Sequence, residues 1–134
     1  MPLGDPKGGH FVYGERGLPK NIVSAYIPSR DPEKASRFYV EILGMAATHS
    51  SPDAVVLTRE GMRLVLKKSD VVGVDTGIVF GVDSPFDLHR RLVDEGVVFT
   101  REPTRGPIGV QTSFRDDDGN VLHASDIGGQ GIWD

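Results

Sequence analysis

The segment "DPEKASRFYVEILG" (residues 31–44) has the signals of a complete amphipathic helix. Asp31 is a favoured N-cap, Pro32 suits the first helical turn, and Gly44 suits the residue that ends a helix. Between them apolar residues recur at the i, i+3, i+4, i+7 and i+8 spacing, which predicts one buried stripe. The stripe consists of Ala35, Phe38, Tyr39, Ile42 and Leu43.

Strand signals flank this helix on both sides. The stretch "NIVSAYIP" (21–28) alternates and is rich in β-branched and aromatic residues, which predicts a strand. Three further short strands are predicted at 45–49, 54–59 and 62–68, with the turn-forming stretches "SSPD" and "EG" between them. The first half of the chain therefore has the order β-α-β-β-β.

The second half repeats this order. In "SPFDLHRRLVDEG" (84–96), Ser84 is the predicted N-cap, Pro85 stands at the first helical position, and Asp87 completes a capping-box pattern. Gly96 is the predicted helix end. Strands are predicted at 77–82, 97–102, 108–115 and 120–126.

The spacing of the two halves indicates a duplication. The two N-caps are 53 residues apart (31 to 84), and the two terminating glycines are 52 apart (44 to 96). A repeat of this kind predicts two copies of one supersecondary unit. A sheet with a helix on one face only leaves its other face uncovered, so we expect the two units to pair.

We therefore predict an α+β fold of two tandem βαβββ modules that form a curved, cup-shaped mixed sheet with the helices on the outer face. Module one is predicted at 21–70 and module two at 75–128, within a single domain that spans 21–134. Residues 1–20 are rich in Gly and Pro and are expected to form an N-terminal arm.

Composition excludes several functional classes. The chain has 134 residues, of which 38% are hydrophobic and 25% charged, as in ordinary soluble globular proteins. The net charge of −4, with both signs interspersed, argues against nucleic acid as a partner. There is no cysteine, and no apolar run approaches the roughly 20 residues of a membrane span. No secretory signal is visible, so a cytoplasmic location is expected.

Two motifs carry a family resemblance. The helix motif in "DPEKASRFYVEILGM" (31–45) and the hairpin motif in "FRDDDGNVLHASD" (114–126) occur in order. Together they resemble the glyoxalase / bleomycin-resistance / extradiol-dioxygenase superfamily, also called vicinal oxygen chelate proteins, over about residues 21–128. The resemblance implies paired βαβββ modules, a homodimer in which modules are sometimes swapped, and one small-molecule cavity per cup.

The resemblance also implies four strand positions that hold a divalent ion in metal-dependent members. Here these positions are occupied by Ser24, Val65, Gly77 and His123. Glycine and valine side chains supply no ligand, and a serine hydroxyl is a weak one. Asp75 together with His123 would still give two ligands where a divalent site needs about three. We therefore expect no metal and no other cofactor.

The acidic stretch 117–120, "DDGN", has the composition of a tight hairpin turn. The spacing excludes an EF-hand calcium loop. Beyond the turn, strand parity places His123 with Ser125, on the face opposite Leu122. A cup-facing His123 is expected to contact ligand, to act as a catalytic acid or base, or to hydrogen-bond a neighbour.

Parity defines the predicted ligand-binding face. Its residues are mixed in size and charge, which suits a flat, partly anionic or aromatic organic ligand. The ligand-binding residues predicted from parity are Ser24, Tyr26, Arg63, Val65, Gly77, His123 and Ser125, and Phe114 is predicted as an aromatic wall of the site. The same face is predicted to carry Lys67, Val79 and Gly81, with Phe99 and Trp133 as further aromatic walls. His89 is predicted to be solvated on the helix 85–95.

Three functional interpretations remain from the sequence. The first is a metal-free protein that binds an antibiotic or metabolite in the cup. The second is a lyase, epimerase, cyclase or dioxygenase-type enzyme that uses His123, with or without a metal. The third is a scaffold whose cup is filled by its own side chains. The predicted partners are a small organic ligand and a second copy of the chain, with no nucleic acid and no membrane.

Overall fold

A computed structural model of the protein describes residues 16–126. Most of the predicted N-terminal arm, as well as Trp133, lies outside the described residues. No helix in the described part of the chain is long and apolar enough to cross a membrane.

The first module consists of one sheet and one helix. The order of its elements in space is β1-β4-β3-β2, with β1 parallel to β4 and the other neighbours antiparallel. The elements are β1 (Ala25–Ser29), α1 (Pro32–Arg37) followed by a π-helical turn (Phe38–Ile42), β2 (Ala46–Ser50), β3 (Ala54–Arg59) and β4 (Met62–Lys68).

The second module has the same topology. Its sheet order is β5-β8-β7-β6, again with one parallel pair, β5 with β8. The elements are β5 (Asp75–Gly81), α2 (Pro85–Asp94), β6 (Phe99–Gly106), β7 (Gly109–Arg115) and β8 (Val121–Ser125). The repeated order confirms the α+β fold of two βαβββ modules. The eight strands form two four-stranded mixed sheets.

Both helices begin and end as their sequences predict. The side chain of Asp31 accepts a hydrogen bond from the backbone N–H three residues later at 3.2 Å, and Ser84 does the same at 3.2 Å. These bonds satisfy donors that the first helical turn leaves unpaired. Gly44 and Gly96 follow the helices with φ of 74° and 84°, the left-handed conformation that glycine adopts most readily.

The first helix departs from the predicted regular α-helix in its second half. The Leu43 N–H donates to the Phe38 carbonyl at 3.3 Å, five residues back, so the turn is wider than an α-helical turn. In this turn two consecutive aromatic side chains, Phe38 and Tyr39, are both buried, at 4% and 0% exposure.

The core lies between each sheet and its helix. Because successive side chains of a strand point to opposite faces of the sheet, one set packs against the helices and the other set lies on the opposite face. The buried apolar cluster contains residues of both modules: Ile27, Ala35, Phe38, Tyr39, Met45, Val55, Leu57, Leu64, Leu66, Leu92, Phe114 and Leu122.

Three sequence predictions about aromatic side chains are corrected by this core. Phe114 does not wall the ligand-binding face, because its side chain points to the helix side and is 0% exposed. Phe99 packs against it there, with the ring centroids 5.5 Å apart. His89 is not simply solvated, since its ring lies 4.5 Å from that of Phe99 in an edge-on contact.

The acidic turn between β7 and β8 joins the two modules. Asp116 accepts hydrogen bonds from the Tyr39 hydroxyl at 2.6 Å and from the Asn120 side-chain amide at 3.1 Å. Its other oxygen accepts from the backbone N–H groups of Asn120 and Asp118. We call Tyr39, Asp116 and Asn120 the polar clamp. The predicted turn is confirmed, with Gly119 at a φ of 81°.

Asn120 extends the clamp to the chain between the modules. Its amide nitrogen donates to the Pro28 carbonyl in β1 at 2.8 Å. Its amide oxygen accepts from the backbone N–H groups of Gly73 and Val74 at 2.9 and 3.1 Å. All these groups are satisfied although Asn120 is fully buried, which fixes the second module against the first.

Candidate functional site

Each sheet has one face that the helices do not cover, which we call its open face. In β1, Ile27 is fully buried while its neighbour Tyr26 is 65% exposed. In β8, Leu122 and Ala124 are fully buried, whereas His123 between them is partly exposed. The predicted parity of these strands is therefore correct, and the open faces carry the candidate site.

One row of side chains crosses the open face of the second sheet. The strand register pairs Val79 of β5 with His123 of β8, His123 with Ser113 of β7, and Ser113 with Arg101 of β6. We call these four residues the His123 row. Directly paired residues in a regular ladder point to the same face, so the side chains of Val79, His123 and Ser113 are neighbours, whereas the ladder is irregular on both sides of Arg101.

The imidazole of His123 is held at both ring nitrogens. Nδ1 lies 2.7 Å from the Ser113 hydroxyl oxygen, and Nε2 lies 2.8 Å from the Asp75 carboxylate. An ionised carboxylate only accepts hydrogen bonds, so Nε2 carries the proton. In the neutral ring Nδ1 is then the acceptor, and the Ser113 hydroxyl donates to it.

Asp75 is itself fixed in this arrangement. The hydrogen bond with His123, followed by one from the backbone N–H of Gly77 at 3.0 Å, holds the pKa of the Asp75 carboxyl below its usual range. The carboxylate therefore stays ionised at neutral pH and orients the imidazole in one tautomer.

Space is open beside this histidine. A Cβ built on Gly77 or on Gly81 of β5 would meet nothing within 4 Å. Gly77 also has a φ of 71°, a conformation that side chains other than glycine rarely adopt. The strand that neighbours His123 thus leaves room over the open face.

The open face of the first sheet has a different character. Its register aligns Tyr26, Val65, Val56 and His49 across the four strands. The ammonium group of Lys67 lies 4.8 Å from the centre of the Tyr26 ring, a cation–π contact. Arg63 is exposed on the same strand as Lys67. This face therefore combines aromatic, aliphatic and basic groups.

A shallow groove of about 580 Å³ lies at one end of the first sheet. It is lined by residues 21–23 and 58–63, including Arg63. None of the His123 row lines it.

The four positions that would hold a metal do not form a fitting donor set. Val65 and Gly77 have no donor atom in their side chains, and both ring nitrogens of His123 are engaged by Ser113 and Asp75. Within residues 16–126 no group of three or more His, Cys, Asp or Glu side chains is placed to hold a metal ion. The residues described at these positions therefore do not fit a divalent metal ion.

The structure brings together some of the predicted residues and separates others. Val79, Gly77 and His123 lie together on the second sheet, while Tyr26, Val65 and Arg63 lie on the first. Ser24 immediately precedes β1. Ser125 has the parity of His123 but is fully buried.

Ser113 was not predicted as a site residue, and Asp75 was considered only as a metal ligand. The turn at 117–120 contained a usable signal for Ser113. Residues at equal distances on either side of the centre of a hairpin face each other, and counting five residues outward from Asp118 pairs 113 with 123.

Comparison with known proteins identifies relatives along almost the whole described chain. A family model described as "Glyoxalase/Bleomycin resistance protein/Dioxygenase superfamily" matches residues 21–124. The uncharacterized protein YetH of Bacillus subtilis (strain 168) is 29% identical over 114 residues, which cover 77% of this chain and 95% of YetH.

Two solved structures share the fold. TnmS3, an antibiotic binding protein from Streptomyces sp. CB03234, is 27% identical to this chain and superposes with a TM-score of 0.71. The match covers 81% of this chain and 96% of the TnmS3 chain. The bleomycin-binding protein of Streptomyces verticillus, complexed with copper(II)-bleomycin, has a TM-score of 0.68. It is 21% identical to this chain, and the match covers 81% of this chain and 98% of the bleomycin-binding protein. At this identity the likeness supports only the fold.

Proposed function

Because the chain belongs to the glyoxalase/bleomycin resistance protein/dioxygenase superfamily, we propose that it binds a small organic molecule without a metal, on the open face beside His123. The observation that carries this proposal is the empty space over Gly77 and Gly81 next to an imidazole that the protein already holds in place. Small-molecule sites usually combine room for the ligand with a few fixed polar groups, and the open face beside His123 offers both.

The chemistry of the open faces favours a flat aromatic ligand. Both nitrogens of His123 are hydrogen-bonded within the protein, so the ring offers its flat surface to a ligand. Val79, which is 54% exposed, adds apolar surface beside it. Arg101 and the basic groups of the first sheet favour an anionic substituent on that ligand.

The relatives support an antibiotic or a metabolite of this kind as the ligand. TnmS3, which has the same fold and is 27% identical in sequence to this chain, is an antibiotic binding protein. Sequestration of such a molecule requires shape, stacking and a few polar contacts, and no reaction centre. The poor donor set at Ser24, Val65, Gly77 and His123 supports binding without a metal.

We further propose that the protein acts as a homodimer in the cytoplasm. Tyr26 and Val79 on the open faces are 65% and 54% exposed in the single chain. A second copy that faces them would enclose the ligand and bury this apolar surface. The absence of cysteine agrees with a compartment in which disulfides do not form.

A thermal-shift screen tests the proposed ligand class. The purified protein is treated with a chelator and mixed with planar aromatic antibiotics and aromatic carboxylates. A ligand at about one hundred times its dissociation constant adds roughly 2.7 kcal/mol, which is an increase of roughly 8–10 °C in unfolding temperature for a chain of this length.

Two histidine variants show whether a shift comes from the proposed site. His123→Ala should abolish the shift, whereas His89→Ala, on α2 at the other side of the second sheet, should retain it. A shift that persists in His123→Ala would place the ligand elsewhere, and a panel without any shift would remove the support for this ligand class.

A further inference from the structure

The geometry around His123 points to an activity beyond binding. We propose that Ser113 is a nucleophile activated by His123 and oriented through Asp75, and that it reacts with small activated acyl compounds such as esters and lactams. The inference rests on the proposed function only in requiring that the open face admits a small molecule.

Ser113, His123 and Asp75 form a continuous chain of hydrogen bonds. A serine hydroxyl becomes a nucleophile when an imidazole nitrogen accepts its proton and a carboxylate holds the other ring nitrogen. Here the Ser113 hydroxyl is 2.7 Å from Nδ1 of His123, and Asp75 is 2.8 Å from Nε2. Both distances are those of good hydrogen bonds.

The two ring nitrogens have exchanged roles relative to the serine protease arrangement, in which Nε2 faces the serine. The exchange leaves the proton transfer unchanged, because one nitrogen accepts and the other donates in either orientation. The lowered pKa of the Asp75 carboxyl keeps it ionised as the acceptor for Nε2.

The sheet also holds Ser113 and His123 rigidly relative to each other. Ser113 and His123 are direct partners in the antiparallel ladder of β7 and β8, so the sheet fixes their separation. The polar clamp closes the turn that joins these two strands. A nucleophile and base on regular strands are positioned more accurately than on loops.

The surroundings of the serine also bear on its reactivity. Ser113 lies opposite His123 on the open face and is 6% exposed. On that face Arg101 is its partner in β6, and Arg101 is exposed. If the Arg101 guanidinium extends toward the serine, it stabilises the negative charge that develops on a carbonyl oxygen under attack.

The reaction is balanced without any cofactor. The Ser113 oxygen forms a bond to the carbonyl carbon while its proton passes to Nδ1 of His123. The bond from carbon to the leaving oxygen or nitrogen then breaks, and His123 returns the proton to the leaving group. Water cleaves the acyl-serine through the same base, which releases a carboxylic acid and restores the serine.

An alkyl fluorophosphonate is a suitable probe, because it forms a serine–phosphorus bond and releases fluoride. Intact-mass analysis of the full chain should show one phosphonyl adduct, and peptide mapping should place it on Ser113. Ser113→Ala should carry no adduct. Ser50→Ala, which changes an exposed serine on β2, should be labelled as the unaltered protein is.

Asp75 is tested as a positioning residue. Asp75→Asn should slow labelling by at least about tenfold, because a neutral amide no longer stabilises the positive charge that the imidazole acquires when it takes the serine proton. Asp75→Glu should recover part of the rate. Since Asp75 is exposed, neither change should lower the unfolding temperature appreciably.

The outcomes separate this inference from the proposed function. If the folded protein gives no adduct, or if mapping places the adduct on another residue, the nucleophile proposal is wrong even when aromatic ligands bind. If Asp75→Asn is labelled at the original rate, Asp75 has no positioning role. If the probe labels Ser113 but no aromatic ligand binds in the thermal-shift screen, the nucleophile proposal is supported and only the proposed binding function is wrong.

Discussion

At the scale of single residues, the molecule depends on polar groups placed inside an apolar core. Tyr39 is fully buried, and its hydroxyl donates to Asp116 in the other module. Burial, together with the nearby Asp116 carboxylate, raises the pKa of the Tyr39 phenol far above its ordinary value. For Asp116, burial raises the pKa, and the hydrogen bonds from Tyr39 and Asn120 act against it.

Removal of the Tyr39 hydroxyl should destabilise the protein measurably. Tyr39→Phe leaves Asp116 without one of its donors, and an under-satisfied buried acceptor costs about 1–3 kcal/mol. Urea denaturation gives the free energy of unfolding. The control is Asp117→Asn in the same turn, where the side chain is exposed and the change should stay within about 0.5 kcal/mol.

The difference in unfolding free energy between the native protein and Tyr39→Phe should disappear at alkaline pH. The folded pKa of Tyr39 lies above the unfolded value of 10.0, so its contribution is complete below pH 10 and is lost as pH rises further. In that range the unfolded chain releases a proton that the folded chain retains, which removes about 1.4 kcal/mol per pH unit. A constant difference between the two proteins from pH 8 to 11.5 would show that Tyr39 ionises freely in the folded state.

At the scale of elements, the two helices are fixed at their first turns by short side chains. Ser84→Ala should cost about 1 kcal/mol, because the Asp87 N–H then loses its acceptor. Ser84→Asp should restore most of this loss, since aspartate caps helices as well as serine does. Equal stability of all three proteins in urea would mean that this cap is not needed.

Most elements could be predicted from the sequence because their signals are local. The strands at 54–59 and 62–68 coincide with β3 and β4, and both N-caps are as predicted. The first strand begins at Ala25 rather than at residue 21. The alternating pattern already starts at 21–24, but the pairing of β1 with β4 begins only at Ala25. Local signals cannot show where pairing begins.

Features that depend on distant contacts were missed. The π-turn brings Tyr39 to Asp116, which is 77 residues away in the chain, and no helix propensity encodes that contact. Phe114 was assigned to the wrong face because its aromatic character was given more weight than its alternation with Ser113. Asp75 contacts His123 across 48 residues of chain, and that neighbour becomes clear only when the pairing of β5 with β8 is known.

At the scale of the whole molecule, the open faces of the two sheets lack a covering layer within the single described chain. A homodimer would supply it, and light scattering after size exclusion should give twice the chain mass of 14.5 kDa. Val79→Asp should shift this mass toward that of one chain, because a carboxylate would be placed in the interface. A native protein of single-chain mass at micromolar concentration would contradict the dimer.

The central claim is that a small organic ligand binds beside His123 without a metal. The most direct test is calorimetric titration of the protein with the strongest ligand from the thermal-shift screen, before and after chelator treatment. Binding without a metal should give the same dissociation constant in both titrations, and His123→Ala should not bind the ligand. Binding that disappears with the chelator and returns with added zinc, manganese, nickel or iron would contradict it.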